Sequence, residues 1–158
     1  ILIHDSSKKL IETLNSRCLK FNFFLSFDNT IKATNKILNH NVLDNINNDL
    51  INNYESVGDI LNLYKSSIDL KMDLSNMSLQ NFLIKIIDNK YYKKNNFIKS
   101  NVFNFIEFYF IKLLNDSNSE KQIYLFYDRF IKKIFYLKKF NLDQESLFIE
   151  FKRKFLNG

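Results

Sequence analysis

Residues 100–115 read Ser-Asn-Val-Phe-Asn-Phe-Ile-Glu-Phe-Tyr-Phe-Ile-Lys-Leu-Leu-Asn, the most apolar run in the chain. Between Val102 and Leu114 only Asn104, Glu107 and Lys112 are polar. On a helix Asn104 and Glu107 share one narrow stripe, and the remaining surface is apolar, the pattern of a helix enclosed by other helices. The apolar stretch falls well short of the roughly 20 residues needed to span a bilayer. It reads as a buried central helix, with Ser100 placed to cap its first turn. Glu107 reads as a member of the polar stripe, because Glu is rarely buried without a partner.

The rest of the chain supports the same class. There is no Pro and there are only two Gly in 158 residues, whereas the tight turns of an all-β fold draw on both. Glycine-rich phosphate loops are excluded for the same reason. The abundance of Asn, Lys, Ile, Phe and Tyr matches A/T-rich codons, so an AT-rich genome accounts for much of the Asn and Lys. The chain begins at Ile1, which reads as one domain, residues 1–158, cut from a longer protein.

Helical spacing of apolar positions continues almost throughout. A first helix is expected from Asp5 or Ser6, with Leu10, Ile11, Leu14, Cys18 and Phe21 inward. Asp28 would cap a second, bearing Ile31, Ile37 and Leu38 and ending at the turn Asn39-His40-Asn41. Asn41 with Asp44 would start a third, bearing Val42, Leu43, Ile46 and Leu50. Ser56 and Asp59 have capping-box spacing and open a fourth, with Ile60, Leu61, Tyr64 and Ile68. Ser78 would cap a fifth, bearing Leu79, Phe82, Leu83, Ile86 and Ile87 and fraying through Lys90–Asn96. After the central sixth helix comes a loop at Asp116–Ser119. A seventh, near 120–139, turns Ile123, Phe126, Tyr127, Phe130, Ile131, Ile134 and Leu137 to one side. Asp143 would cap an eighth with Leu147, Phe148, Phe151 and Phe155 inward, and Gly158 suits its stop. The expectation is an all-α domain of about eight helices.

Phe105-Ile106-Glu107-Phe108 recurs as Phe148-Ile149-Glu150-Phe151, a spacing within the period of HEAT-like helix-pair arrays. Residues 60–69, Ile-Leu-Asn-Leu-Tyr-Lys-Ser-Ser-Ile-Asp, resemble the central helix of the superhelical VHS, ENTH and CID modules. Phe82–Ile87, Lys90-Tyr91, Ser100–Leu114 and Tyr127–Ile134 are similar to the helices that follow it. The resemblance implies antiparallel helix pairs in a right-handed superhelix; the other arrangement weighed is a globular bundle around the central apolar helix. The sequence departs from VHS modules at Leu70-Lys71-Met72, where they carry an Asn-Cys-Gly turn, and has Tyr109 or Phe110 in place of their Trp. No ligand-binding residue carries over.

Catalytic constellations are lacking. His4 and His40 have no Cys or paired carboxylates at ligand spacing. Cys18, the single cysteine, allows no intrachain disulfide, suits an intracellular compartment, and is spaced to pack inward. The reading is a non-enzyme without cofactor or metal.

Charge supplies the binding signal. Residues 1–79 carry 8 Lys/Arg against 9 Asp/Glu, and residues 80–158 carry 15 against 8. Arg129, Lys132 and Lys133 fall on one helical face with Tyr136 a turn on. Lys90, Lys93 and Lys94 cluster after the fifth helix, and Lys152, Arg153 and Lys154 form a third group. This surface suits an acidic protein or peptide, an RNA backbone or an anionic membrane surface. The first expectation is a helical adaptor or assembly subunit. The others are an RNA-binding subunit of a ribonucleoprotein and a Bcl-type viral bundle holding a partner helix.

Overall fold

The computed structural model describes residues 10–19, 21, 25–53, 55–116 and 120–156. Among these the chain is all-α, with eight α-helices: α1 (Glu12–Asn15), α2 (Phe27–Leu38), α3 (Val57–Asp69), α4 (Leu79–Asp88), α5 (Tyr91–Lys94), α6 (Asn96–Asp116), α7 (Glu120–Phe140) and α8 (Glu145–Phe151). Two 3₁₀ turns, Val42–Asp44 and Asn48–Leu50, join α2 to α3, and a π-helical turn, Lys152–Leu156, extends α8. The described residues contain no β-strand; a lone parallel bridge links Ile46 to Leu74. No helix among them is long and apolar enough to cross a membrane.

The apolar stretch lies within α6, which packs against α3, α4, α5 and α7. Its Ile98, Val102, Phe103, Phe105, Ile106, Tyr109 and Phe110 are buried. Phe110 is ringed by Phe126, Tyr127 and Phe130 from α7 and by Phe151 and Phe155 from the C-terminal segment. Such edge and tilted contacts add to the area each ring buries. Glu107 is exposed and accepts a hydrogen bond from the Tyr127 hydroxyl at 2.9 Å. The start of α6 differs from expectation. Asn95 Oδ1 accepts from the Ile98 N–H at 3.0 Å, so the helix begins a turn before Ser100, whose hydroxyl donates back to the Asn96 carbonyl. Residues 91–94 form α5 instead of fraying, entered through Lys90 in the left-handed region (φ 52°). Tyr92 anchors α5 by burial against Phe148, ring centroids 4.6 Å apart.

The capping box of α3 forms as its spacing requires, with Ser56 and Asp59 satisfying each other's backbone N–H. Its inward face is Ile60, Leu63, Ser66 and Ser67, and Ile68 is exposed. Small hydroxyl residues can face inward here because their polar groups are satisfied: Ser67 donates to the Tyr64 carbonyl and Ser66 to Asn95 Oδ1. Ser78 caps α4, and all five predicted apolar residues are buried. The expected third helix is the pair of 3₁₀ turns, because the Asn47 N–H leaves the helical pattern for the Leu74 carbonyl at 2.8 Å. Val42, Ile46 and Leu50 are still buried, but Leu43 is exposed. In α2 the N-cap position is Ser26, with Asp28 in the first turn; Ile31 is buried, Ile37 is exposed, and Asn39 (φ 59°) ends the helix.

Two other expectations are corrected. The N-terminal helix is a single turn among the described residues, and Ile11, Leu14, Phe21 and Cys18 are exposed instead of inward. The cap position of α8 is Gln144, one residue past Asp143. In the repeated tetrapeptides Phe105 and Phe148 are both buried, whereas Ile106 is buried and Ile149 exposed. Asp5, Ser6, His4, Ser117–Ser119 and Gly158 lie outside the described residues.

Candidate functional site

The inward side of α7 buries Phe130, Ile134 and Leu137, with Ile123, Phe126, Tyr127 and Ile131 partly covered. At 3.6 residues per turn the opposite arc carries Tyr124, Leu125, Asp128, Arg129, Lys132, Lys133, Phe135, Tyr136, Lys139 and Phe140. All of these but Asp128, which is half-covered, are exposed. Phe135, Tyr136 and Phe140 are 60%, 52% and 58% exposed, a large apolar display for one turn and a half of helix. They form a group, with Phe135 and Tyr136 centroids 5.8 Å apart and Tyr136 stacked on Phe140 at 6.2 Å. Lys139 lies over both Phe135 and Phe140. The helix then stops at Asn141 in the left-handed region (φ 50°), with the Leu142 N–H on the Leu137 carbonyl, which leaves Leu142 exposed beside the cluster.

The basic residues read from the sequence are present on the surface, and most are engaged by carboxylates. Lys132 pairs with Asp128 one turn back at 2.6 Å. Lys133 pairs with Glu150 of α8 at 2.5 Å, and Lys154 reaches the other Glu150 oxygen at 2.9 Å. Lys90 and Lys93 converge on Glu145, Lys93 at 2.8 Å; their bonds hold the Glu145 carboxyl down at about 2. Lys152 pairs with Asp88. Lys94 is exposed, its ammonium 5.7 Å from the Tyr91 ring centre. Arg129 has no carboxylate partner among the described residues. Of the three sequence groups, the third divides, Lys154 joining the α7 group through Glu150 and Lys152 pairing with Asp88, while the first two stay apart. Arg129, Lys132, Lys133 and Tyr136 share the outer arc of α7, while Lys90, Lys93 and Lys94 belong to the entry and body of α5. Both are tied to α8, through Glu150 and Glu145.

Phe135 and Phe140 were missed as surface residues, although both fall on the polar arc of the helix that the periodicity itself defines. Glu150 and Lys154 become part of this surface only through the fold.

A groove of about 340 Å³ runs between α6 and the start of α3, lined in part by Glu55, Asp59, Asn104, Phe105, Glu107 and Phe108. Its Asp59 serves the α3 cap and its Glu107 the Tyr127 hydroxyl. Glu55 Oε2 is buried without a hydrogen-bond partner, and burial pushes the carboxyl up to about 7. His40 is exposed, with its Nδ1 3.0 Å from the Leu38 carbonyl. No group of three or more His, Cys, Asp or Glu among the described residues could hold a metal ion. Comparisons with protein-family models, with curated proteins and with solved structures gave no significant match.

Proposed function

We propose that this chain is a non-catalytic helical interaction module, of the superhelical adaptor kind that its sequence resembles, and that it holds an acidic protein segment on the outward arc of α7. The observation that carries the reading is the exposed Phe135–Tyr136–Phe140 cluster with Leu142 beside it and Arg129, Lys132, Lys133 and Lys139 around it. Exposed aromatic anchors match the make-up of protein interfaces, where Tyr, Phe and Arg are enriched, and the lysines fall on the polar rim. The surplus of bases over Asp128 selects a partner whose apolar anchors are flanked by Asp or Glu.

A nucleic-acid strand fits the arc less well. Tracking a strand needs several cations spaced along successive phosphates, and a chain of singly charged phosphates would have to displace both Asp128 from Lys132 and Glu150 from Lys133. Base stacking needs open ring faces, yet Tyr136 and Phe140 stack on each other and Lys139 covers Phe135 and Phe140.

The test is selection of peptides from a random display library against the chain, followed by NMR mapping of the bound site. The expected peptides combine aromatic or long aliphatic anchors with Asp or Glu, shift signals of residues 124–142, and lose binding when Tyr136 and Phe140 are changed to Ser. Peptides that map elsewhere would overturn the reading. So would a concentration-dependent dimer that buries the arc, or single-stranded RNA bound with a steep salt dependence.

A further inference from the structure

Beside the aromatic cluster, α7 and the C-terminal turn enclose a cleft of about 110 Å³, lined by Phe126, Arg129, Phe130, Lys133, Glu150 and Lys154. We infer that this cleft binds a phosphomonoester dianion, held by Arg129, Lys133 and Lys154. The inference deepens the proposed function, because an acidic partner segment bearing a phosphoryl group would seat it here. The cleft itself uses none of the exposed aromatic side chains.

Three features define the ligand. The first is charge. Three cations surround one carboxylate, leaving a surplus of about two, which matches the roughly −1.5 to −2 of a phosphomonoester at neutral pH. A carboxylate or a phosphodiester, each singly charged, would leave part of that surplus unmatched. The second is size. The cleft is small, about 110 Å³, which suits a compact phosphoryl head. The third is the wall. Phe130 is buried and the Lys154 ammonium lies 4.5 Å from the Phe126 ring centre, so one side of the cleft is apolar and cation-facing. Charge interactions are stronger beside such a wall than in open water.

Glu150 acts as the internal occupant. It accepts from Lys133 at 2.5 Å and from Lys154 at 2.9 Å. The Lys133 bond first, then the Lys154 bond, hold its carboxyl below the ordinary range despite partial burial. It therefore stays ionised and gathers both ammoniums at one carboxylate of the cleft lining. Arg129 is the member with no carboxylate partner among the described residues, and its planar fork suits two phosphoryl oxygens. An incoming dianion takes Arg129 and competes with Glu150 for the two lysines.

The competition gives the proposal a signature that a generic basic surface lacks. Phenyl phosphate, titrated into the intact chain and followed by NMR, is expected to bind saturably in the millimolar range or tighter and to shift Arg129, Lys133 and Lys154. Phenyl sulfate, a monoanion of the same shape, binds at least severalfold more weakly. Arg129→Gln and Lys154→Gln each weaken phenyl phosphate about tenfold, and Glu150→Gln tightens it by roughly three- to tenfold by removing a nearby like charge. Equal affinity for phosphate and sulfate, unsaturable shifts, or a Glu150→Gln variant that binds no better would overturn the site. The Tyr136→Ser, Phe140→Ser double variant separates the two readings. It keeps phenyl phosphate binding if the cleft is right, whatever becomes of peptide capture.

Discussion

Lys112 of α6 and Asp49 of the second 3₁₀ turn, 63 positions apart, are joined twice: the ammonium donates to the Asp49 carboxylate and, at 2.7 Å, to its backbone carbonyl. The second carboxylate oxygen accepts the Leu79 N–H at 2.6 Å, at the first residue of α4. One short side chain thus closes an orphan donor of α4 and fixes that helix start to α6.

Removing it should act on both. Asp49→Ala is expected to cost about 1–2 kcal/mol, the range of a lost cap plus a charge-assisted bond. Lys112→Met should cost less, since Asp49 keeps its bond to Leu79. Burial raises the Asp49 carboxyl, but the Lys112 bond, the Leu79 N–H and the Lys112 charge together hold it below its ordinary value. A depressed folded-state value means that this stability is present above about pH 4 and fades as the pH falls through the folded value. Thermal melts at pH 7 and pH 3 check this, because the gap between wild type and Asp49→Ala should narrow at the lower pH.

Phe110 sits at the meeting point of α6, α7 and the C-terminal segment, fully buried with five aromatic rings around it. Phe110→Ala should destabilise the fold by about 3–5 kcal/mol, and Phe110→Leu by markedly less, because Leu leaves a smaller void. Urea unfolding followed by circular dichroism measures both. A loss under about 1 kcal/mol for the alanine variant would show that these helices do not pack through Phe110.

How much of this was legible follows from the range of each interaction. The Ser56–Asp59 and Ser78 caps, the inward face of α4 and the two faces of α7 depend on residues three or four positions apart, and periodicity reads them. The start of α6 was misplaced because Ser100 and Asn95 are both competent caps, and it is Asn95 that takes the Ile98 N–H while Ser100 donates to the Asn96 carbonyl. The inner face of α3 was not legible because Ser66 and Ser67 look polar until their acceptors, Asn95 Oδ1 and the Tyr64 carbonyl, are in place. The basic face was visible as Arg129, Lys132 and Lys133. Its partial neutralisation was not, because Glu150 is 17 positions from Lys133 and Glu145 is 55 from Lys90.

The placement of Cys18 makes the N-terminal correction measurable. An inward thiol would react with an aromatic disulfide reagent only on unfolding, whereas an exposed one should react in native buffer. The expected outcome is one thiol titrated within minutes without denaturant, at a rate that guanidinium changes only modestly. Protection by several orders of magnitude would restore the buried reading.

Glu55 provides the sharpest pH signature. Burial is the main cause of its upward shift, the Asn52 N–H opposes it, and the Asp59 charge adds to it, leaving the carboxyl at about 7 against an ordinary 4.5. A group that binds its proton more tightly folded than unfolded favours folding most at low pH. That advantage is lost between about pH 4.5 and 7, and above pH 7 the fold carries an ionised carboxylate with one buried, unpartnered oxygen. The shift sets an upper bound of about 3 kcal/mol on the change. Glu55→Gln removes the ionisation but not the burial. It should therefore be more stable than wild type at pH 8, by up to about 2 kcal/mol, and lose that advantage at pH 4.5. Urea midpoints at the two pH values decide it. A Gln variant with the same relative stability at both would mean that Glu55 titrates as an ordinary exposed carboxylate.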